Sequence, residues 1–177
     1  IAMNPTIDKG IADIRILVAD DEQNILDEYA AILASSRSAD PGELADLEAE
    51  LFGEVQQEQT QYPTFSVYLC RQADDAVRAV EESIRDGHPF AVAFLDVRMP
   101  PGPDGVNAAE RIRKLDQEIN IVFVTGFSDV SPDDIRTRVP PLDKLLYCQK
   151  PFHAGELRQV AYALSAKWAA NRSLQTT

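Results

Sequence analysis

FAVAFLDVRMPPGPDG occupies residues 90–105. Through Leu95 it is apolar without alternation, the pattern of a strand buried on both faces. Asp96 ends the run, and proline and glycine then dominate up to Gly105. Working outward, the same pattern recurs in IRILVAD (14–20), FSVYLC (65–70), INIVFVT (119–125) and KLLYCQ (144–149). Helical periodicity fills the gaps. Ile25, Leu26, Tyr29, Ile32 and Leu33 follow the first run at helical spacing. Further helices are predicted over 73–86 and 105–116, after SDVSPDD up to Pro140-Pro141, and over 155–172.

Five buried strands alternating with helices predict an α/β fold with a parallel sheet covered on both faces. The expected form is a flavodoxin-like (βα)5 three-layer sandwich with strand order 2-1-3-4-5. Ligands in such sheets bind at the carboxyl ends of the strands.

Residues 35–63 break the alternation. Asp40-Pro41 is an N-cap followed by proline at the first helical position, and Leu44, Leu47, Leu51 and Val55 then share one stripe. Asp40, Glu43, Asp46, Glu48, Glu50, Glu54 and Glu58 fall in a stretch, 40–61, that has no Lys or Arg. An extra acidic helix between the first helix and the second strand is expected. It is either a solvated face with its stripe on the core or a docking helix for a partner.

The length, 177 residues, suits one domain with some decoration. Boundaries are drawn at 1–12 for a tail (in part a cloning remnant), 13–170 for the domain, and 171–177 for the start of a linker. A net charge of −12 argues against direct nucleic-acid binding and against an anionic membrane surface. No apolar run approaches a transmembrane length, and Cys70 and Cys148 lie in strand-like runs as reduced core thiols. A cytoplasmic protein is expected. His88 and His153 show no metal-ligand pairing.

The chemistry sits at strand ends. Asp20 and Asp21 close strand one and Asp96 closes strand three, its neighbour in the predicted order. Crowded carboxylates call for a cation, and hard oxygen donors suit Mg²⁺, for which Mn²⁺ can substitute. Asp21 alone could equally cap the following helix. Thr125, followed by Gly126, closes strand four, and Lys150 closes strand five before Pro151. A hydroxyl and an ammonium there can contact a phosphoryl group. The set reads as a phosphoryl-transfer site with a carboxylate nucleophile. Asp96, on the tight glycine-bearing loop, is the nucleophile, which leaves Asp20 and Asp21 as metal ligands.

ILVADDE, AFLDVRMPPGPDG, VFVTGFSD and CQKPF, in that order, resemble the motifs of response-regulator receiver domains of bacterial two-component systems. The resemblance spans 14–170 apart from the insertion. It implies Asp96 as the phospho-acceptor, and Asp20, Asp21 and the backbone carbonyl of Arg98 as Mg²⁺-site groups. Thr125 and Lys150 would contact the phosphoryl group, with Thr125 and Tyr147 as the switch pair. A cis Lys150–Pro151 bond is also implied. The partners implied are a sensor histidine kinase or phosphotransfer protein. Enzyme activity beyond self-phosphorylation and autodephosphorylation is not expected.

The chain departs from the family in the extra proline of MPPGPDG and in the acidic insertion. Arg98 and Phe127 occupy variable positions near the phosphoryl group, where a bulky Phe127 could hinder attacking water. A narrower resemblance is to a subgroup with the receiver N-terminal to a histidine kinase or GGDEF/EAL output. Leu157, Val160, Leu164 and Trp168 form a stripe, and Trp168 and Leu174 lie late enough to begin an inter-domain helix or a homodimer coil.

Rival readings fare worse. A haloacid-dehalogenase-type phosphatase needs a second Asp where Arg98 stands. A flavodoxin-like cofactor binder needs a phosphate loop after strand one, where DDEQN is acidic. A phosphorylation-independent pseudo-receiver, acting as an interaction module, stays as the alternative.

Overall fold

A computed structural model describes residues 13–34, 65–126 and 131–176. The tail at 1–12, the extra helix expected within 35–63, and Phe127 lie outside the described residues. β1 (Ile14–Ala19), β2 (Phe65–Cys70), β3 (Val92–Asp96), β4 (Asn120–Thr125) and β5 (Leu145–Gln149) form one sheet in the order β2-β1-β3-β4-β5. Every pairing is parallel. Helices α1 (Gln23–Leu33), α2 (Ala73–Arg85), α3 (Gly105–Leu115), α4 (Pro132–Arg138) and α5 (Ala154–Gln175) alternate with the strands. This is the flavodoxin-like three-layer sandwich that the apolar runs predict.

Strand alternation sorts the core into two layers. Leu17, Ala19, Ala93, Leu95, Ile121 and Phe123 point to the α2, α3 and α4 side, against Val80, Ile112 and Ile135. Ile16, Val18, Val92, Phe94, Val122 and Val124 point to the α1 and α5 side, against Leu26, Tyr29, Leu157 and Ala161. Both faces are apolar because both are covered, which is why these strands read as largely apolar runs without alternation.

Boundaries shift by a residue or two for local reasons. The Ile119 N–H bonds the Asp116 side chain at 3.2 Å, so β4 begins at Asn120. The final helix runs through Gln175, and residues 171–175, expected as linker, continue it. The Arg172 guanidinium lies 4.8 Å from the centre of the Trp168 ring on that last stretch.

Two buried polar side chains pin the amino-terminal end of the sheet. Arg113, 6% exposed, donates to the carbonyls of Gln117, Ile119 and Lys144. It ties the end of α3 to β4 and to the approach to β5. Asn120 donates to the carbonyls of Ala91 and Leu164, fixing α5 against the sheet. No described helix is long and apolar enough to cross a membrane.

Candidate functional site

The register of β1 beside β3, with Ala19 opposite Leu95, brings the first two acids next to the third. Oxygens of Asp20, Asp21 and Asp96 all lie within 4.8 Å of one another. Lys150 arrives from the end of β5 and donates to Asp20 Oδ2 at 2.9 Å and to Asp96 Oδ2 at 3.2 Å. The other oxygens of Asp20 and Asp96 are met by backbone. Glu22 N–H donates to Asp20 Oδ1 at 2.9 Å, and Arg98 N–H to Asp96 Oδ1 at 3.3 Å. Each is an acid capping its own turn two residues on.

Burial and the neighbouring Asp20 charge push the Asp96 carboxyl above the ordinary carboxylate range, although Lys150 and the Arg98 N–H pull it down. For Lys150, burial works against the charge. The hydrogen bond to Asp20 and the charges of Asp96 and Asp20 outweigh it, so its pKa is raised. The cluster thus holds more negative charge than Lys150 offsets. Its oxygen donors can hold a hard divalent cation.

The loop after Asp96 is held close to it. Gly105 N–H bonds the Val97 carbonyl at 2.8 Å, and a Cβ on Gly105 would stand 1.9 Å from the Asp96 carbonyl oxygen. Only glycine fits that approach. Asp104 caps α3 through Asn107 N–H at 2.8 Å.

Thr125 ends β4, one residue beyond the Asp96–Val124 pair, and its carbonyl accepts the Lys150 N–H at 2.9 Å. Tyr147 does not join the acids. It pairs in register with Phe123, with ring centres 5.9 Å apart, and packs on the α2–α4 side of the sheet. Its ring is turned inward, and its hydroxyl is buried with no hydrogen-bond partner among the described residues. Thr125 follows the Ile121–Phe123 row on that same face, whereas Asp96 follows the Val92–Phe94 row on the other. The Lys150–Pro151 bond is cis, as are Pro100–Pro101 and Pro140–Pro141.

Residues 54–162, more than half of the chain, match the response regulator receiver domain model. The chain belongs to the response regulator receiver family. Over 71 residues the receiver is 37% identical to the response regulator receiver protein CpdR of Brucella abortus (strain 2308). That stretch is 39% of this chain and 54% of that protein, so the match spans about half of the relative's length. A CheY-like receiver domain protein from Methanospirillum hungatei JF-1 has the same fold, with a TM-score of 0.62 at 18% identity, over 90% of this chain and 99% of that one. So does the N-terminal domain of a response regulator/sensory box/GGDEF 3-domain protein from Carboxydothermus hydrogenoformans. Its TM-score is 0.57 at 18% identity, over 89% of this chain and 98% of that one. The family match contains Asp96, Thr125, Tyr147 and Lys150 but begins after Asp20 and Asp21. Strand register brings those two acids beside Asp96.

Sequence reasoning passed over the turn that follows β2. There Arg71 donates to the Asp21 carbonyl at 3.1 Å, and Gln72 bonds Pro100 and Gly102. Neither residue belongs to a motif. The one available signal was a loop, PPGP, too poor in donors to hold itself.

Proposed function

We propose that this receiver accepts a phosphoryl group on Asp96 in a Mg²⁺-dependent reaction and relays the event through Thr125 and Tyr147. The observation that carries the reading is Lys150 bridging Asp20 and Asp96 beside Asp21. Asp20 is the poorer nucleophile. It is 1% exposed, and both of its oxygens are engaged at 2.9 Å. Asp96 is 9% exposed and more loosely held.

An Asp96 oxygen attacks the phosphorus of a phosphohistidine, on a sensor histidine kinase or phosphotransfer protein, or of a small acyl phosphate. The new P–O bond forms as the donor's bond to phosphorus breaks, and that electron pair leaves with the donor. Lys150, already on the Asp96 carboxylate, meets the added negative charge. Asp20, Asp21, Asp96 and the Arg98 carbonyl would hold Mg²⁺, with Mn²⁺ as substitute. When bound, the ion supplies charge neutralisation at the phosphoryl oxygens. The Thr125 hydroxyl contacts the phosphoryl group, and Tyr147, on the same face of the sheet, responds to it.

A covalent output domain or a second copy of the chain would read the switched state. The Carboxydothermus hydrogenoformans protein combines its receiver with a sensory box and GGDEF. We place the protein in the cytoplasm, where its kinase's phosphohistidine would be.

Incubation with acetyl phosphate and Mg²⁺, followed by intact-mass analysis, tests this. A phosphate-sized gain that is absent without Mg²⁺ and in Asp96→Asn is expected. No gain in the wild type, or a gain surviving in Asp96→Asn, overturns it; the first outcome favours a phosphorylation-independent pseudo-receiver.

A further inference from the structure

Between Met99 and Asp104 the chain reads Pro100-Pro101-Gly102-Pro103. Proline has no N–H, so the Gly102 N–H is the single backbone donor in that span. It goes to Gln72 Oε1 at 3.3 Å, and Gln72 Nε2 donates to the Pro100 carbonyl at 3.2 Å. One side chain thus grips the middle of the loop by both of its functional atoms. The loop's end is fixed separately, by the Gly105–Val97 bond and the Asp104 cap.

Gln72 is also the N-cap of α2, yet its side chain bonds none of that helix's N–H groups. Glutamine is outside the favoured capping set, so the helix gains little from it there. Gly102 is shaped to the same contact, since a Cβ would meet Gln72 Oε1 at 2.7 Å. The preceding residue, Arg71, holds the Asp21 carbonyl at 3.1 Å. Two consecutive residues after β2 therefore tie down both loops that carry the acids and the Arg98 carbonyl.

We infer that Gln72 is a positioning residue for the cation site: it holds the Pro100–Gly102 segment so that the Arg98–Asp96 loop is preorganised for a divalent ion. The inference rests on the proposed Mg²⁺-dependent site. Without the glutamine, ordering the loop becomes part of the cost of binding the ion. Weakening by about 5- to 10-fold is expected, the scale of one hydrogen bond lost net.

The test uses the full chain. Mn²⁺ affinity is measured from free-ion EPR, and acetyl-phosphate labelling is followed by intact mass across a Mg²⁺ titration. Gln72→Ala should bind Mn²⁺ ~5- to 10-fold more weakly and need correspondingly more Mg²⁺ for half-maximal labelling. Its labelling rate at saturating Mg²⁺ should stay within about twofold of the wild type, because the ion then holds the loop. Gly102→Ala should reproduce the weakening by displacing Gln72 Oε1, and the double variant should be no weaker than the worse single one. Unchanged Mn²⁺ affinity in Gln72→Ala, or additive losses in the double variant, overturns the inference and leaves the phospho-acceptor reading standing. Mn²⁺ binding without any wild-type labelling overturns the phospho-acceptor reading and leaves the positioning role measurable. A wild type that binds no Mn²⁺ overturns both.

Discussion

β3 and β5 both deliver residues to the site, and they could hardly be placed more differently. Every residue of β3 is buried and none of β5 is. β3 is bonded to β1 on one side and β4 on the other, while among the described residues β5 pairs with β4 alone. Asp96 stands on the inner strand, and Tyr147 and Lys150 come from the edge. Half-exposed side chains and pairing on one side only, among the described residues, mark a segment that opens or shifts at low cost. The difference teaches a division of labour. Asp20 and Asp96 are mounted at the ends of the two inner strands β1 and β3, and Tyr147 and Lys150 at the half-exposed edge, where the backbone has more room to move.

The largest effect that can break this comparison is on stability. Phe94→Ala on β3 should cost about 3–5 kcal/mol in urea denaturation, from lost burial plus a cavity. Leu146→Ala on β5, already 38% exposed, should cost under about 1 kcal/mol. Equal losses would erase the contrast between centre and edge.

Next in size is the cation. If the acids are strained by one another, Mg²⁺ at about 100 times its Kd should stabilise the receiver by about 2.7 kcal/mol. The Asp20→Asn/Asp96→Asn double variant should gain little. A thermal shift retained in that variant would move the ion elsewhere.

At the edge, Tyr147→Phe removes a buried hydroxyl that has no hydrogen-bond partner among the described residues. Stability should hold or rise by up to about 1 kcal/mol, since no hydrogen bond is lost and a desolvation cost is relieved. A loss in the urea midpoint would show that the hydroxyl is bonded after all.

The smallest effect lies on the surface between α3 and α4. Arg138 grips Glu110 by two hydrogen bonds, at 2.6 and 3.0 Å, and holds that carboxyl below its usual range. A carboxyl lowered on folding stabilises above its unfolded pKa and loses that contribution as pH falls through the folded one. Both partners are partly exposed, so Arg138→Met should cost only ~0.3 kcal/mol at neutral pH and less in acid. A pH-independent loss would assign the effect to packing.

Much of this was legible in the residues. The runs at 14–19, apolar but for Arg15, and at 92–95 are both-face-buried strands, and Asp20, Asp96, Thr125 and Lys150 could be read at strand ends because apolar runs stop there. Gln72 was not legible. Its role depends on a loop 28 residues away with a single backbone donor, and no periodicity records a contact of that kind. The inward Tyr147 ring and the buried Arg113 clamp were hidden for the same reason: their partners are distant carbonyls and rings, which any sequence supplies in excess.

The sequence by itself determined the element order, the layered α/β class, and which acids, hydroxyl and lysine end the strands. Those follow from local patterns, because burial of a strand's two faces is written in consecutive side chains. Only the tertiary structure decided that Lys150 lies on Asp20 and Asp96 at once, that Thr125 and Tyr147 share the opposite face, and that Gln72 grips the loop after Asp96. Those are matters of register between strands far apart in the chain. A shift of one residue would reverse every face, so only the packed sheet sets them.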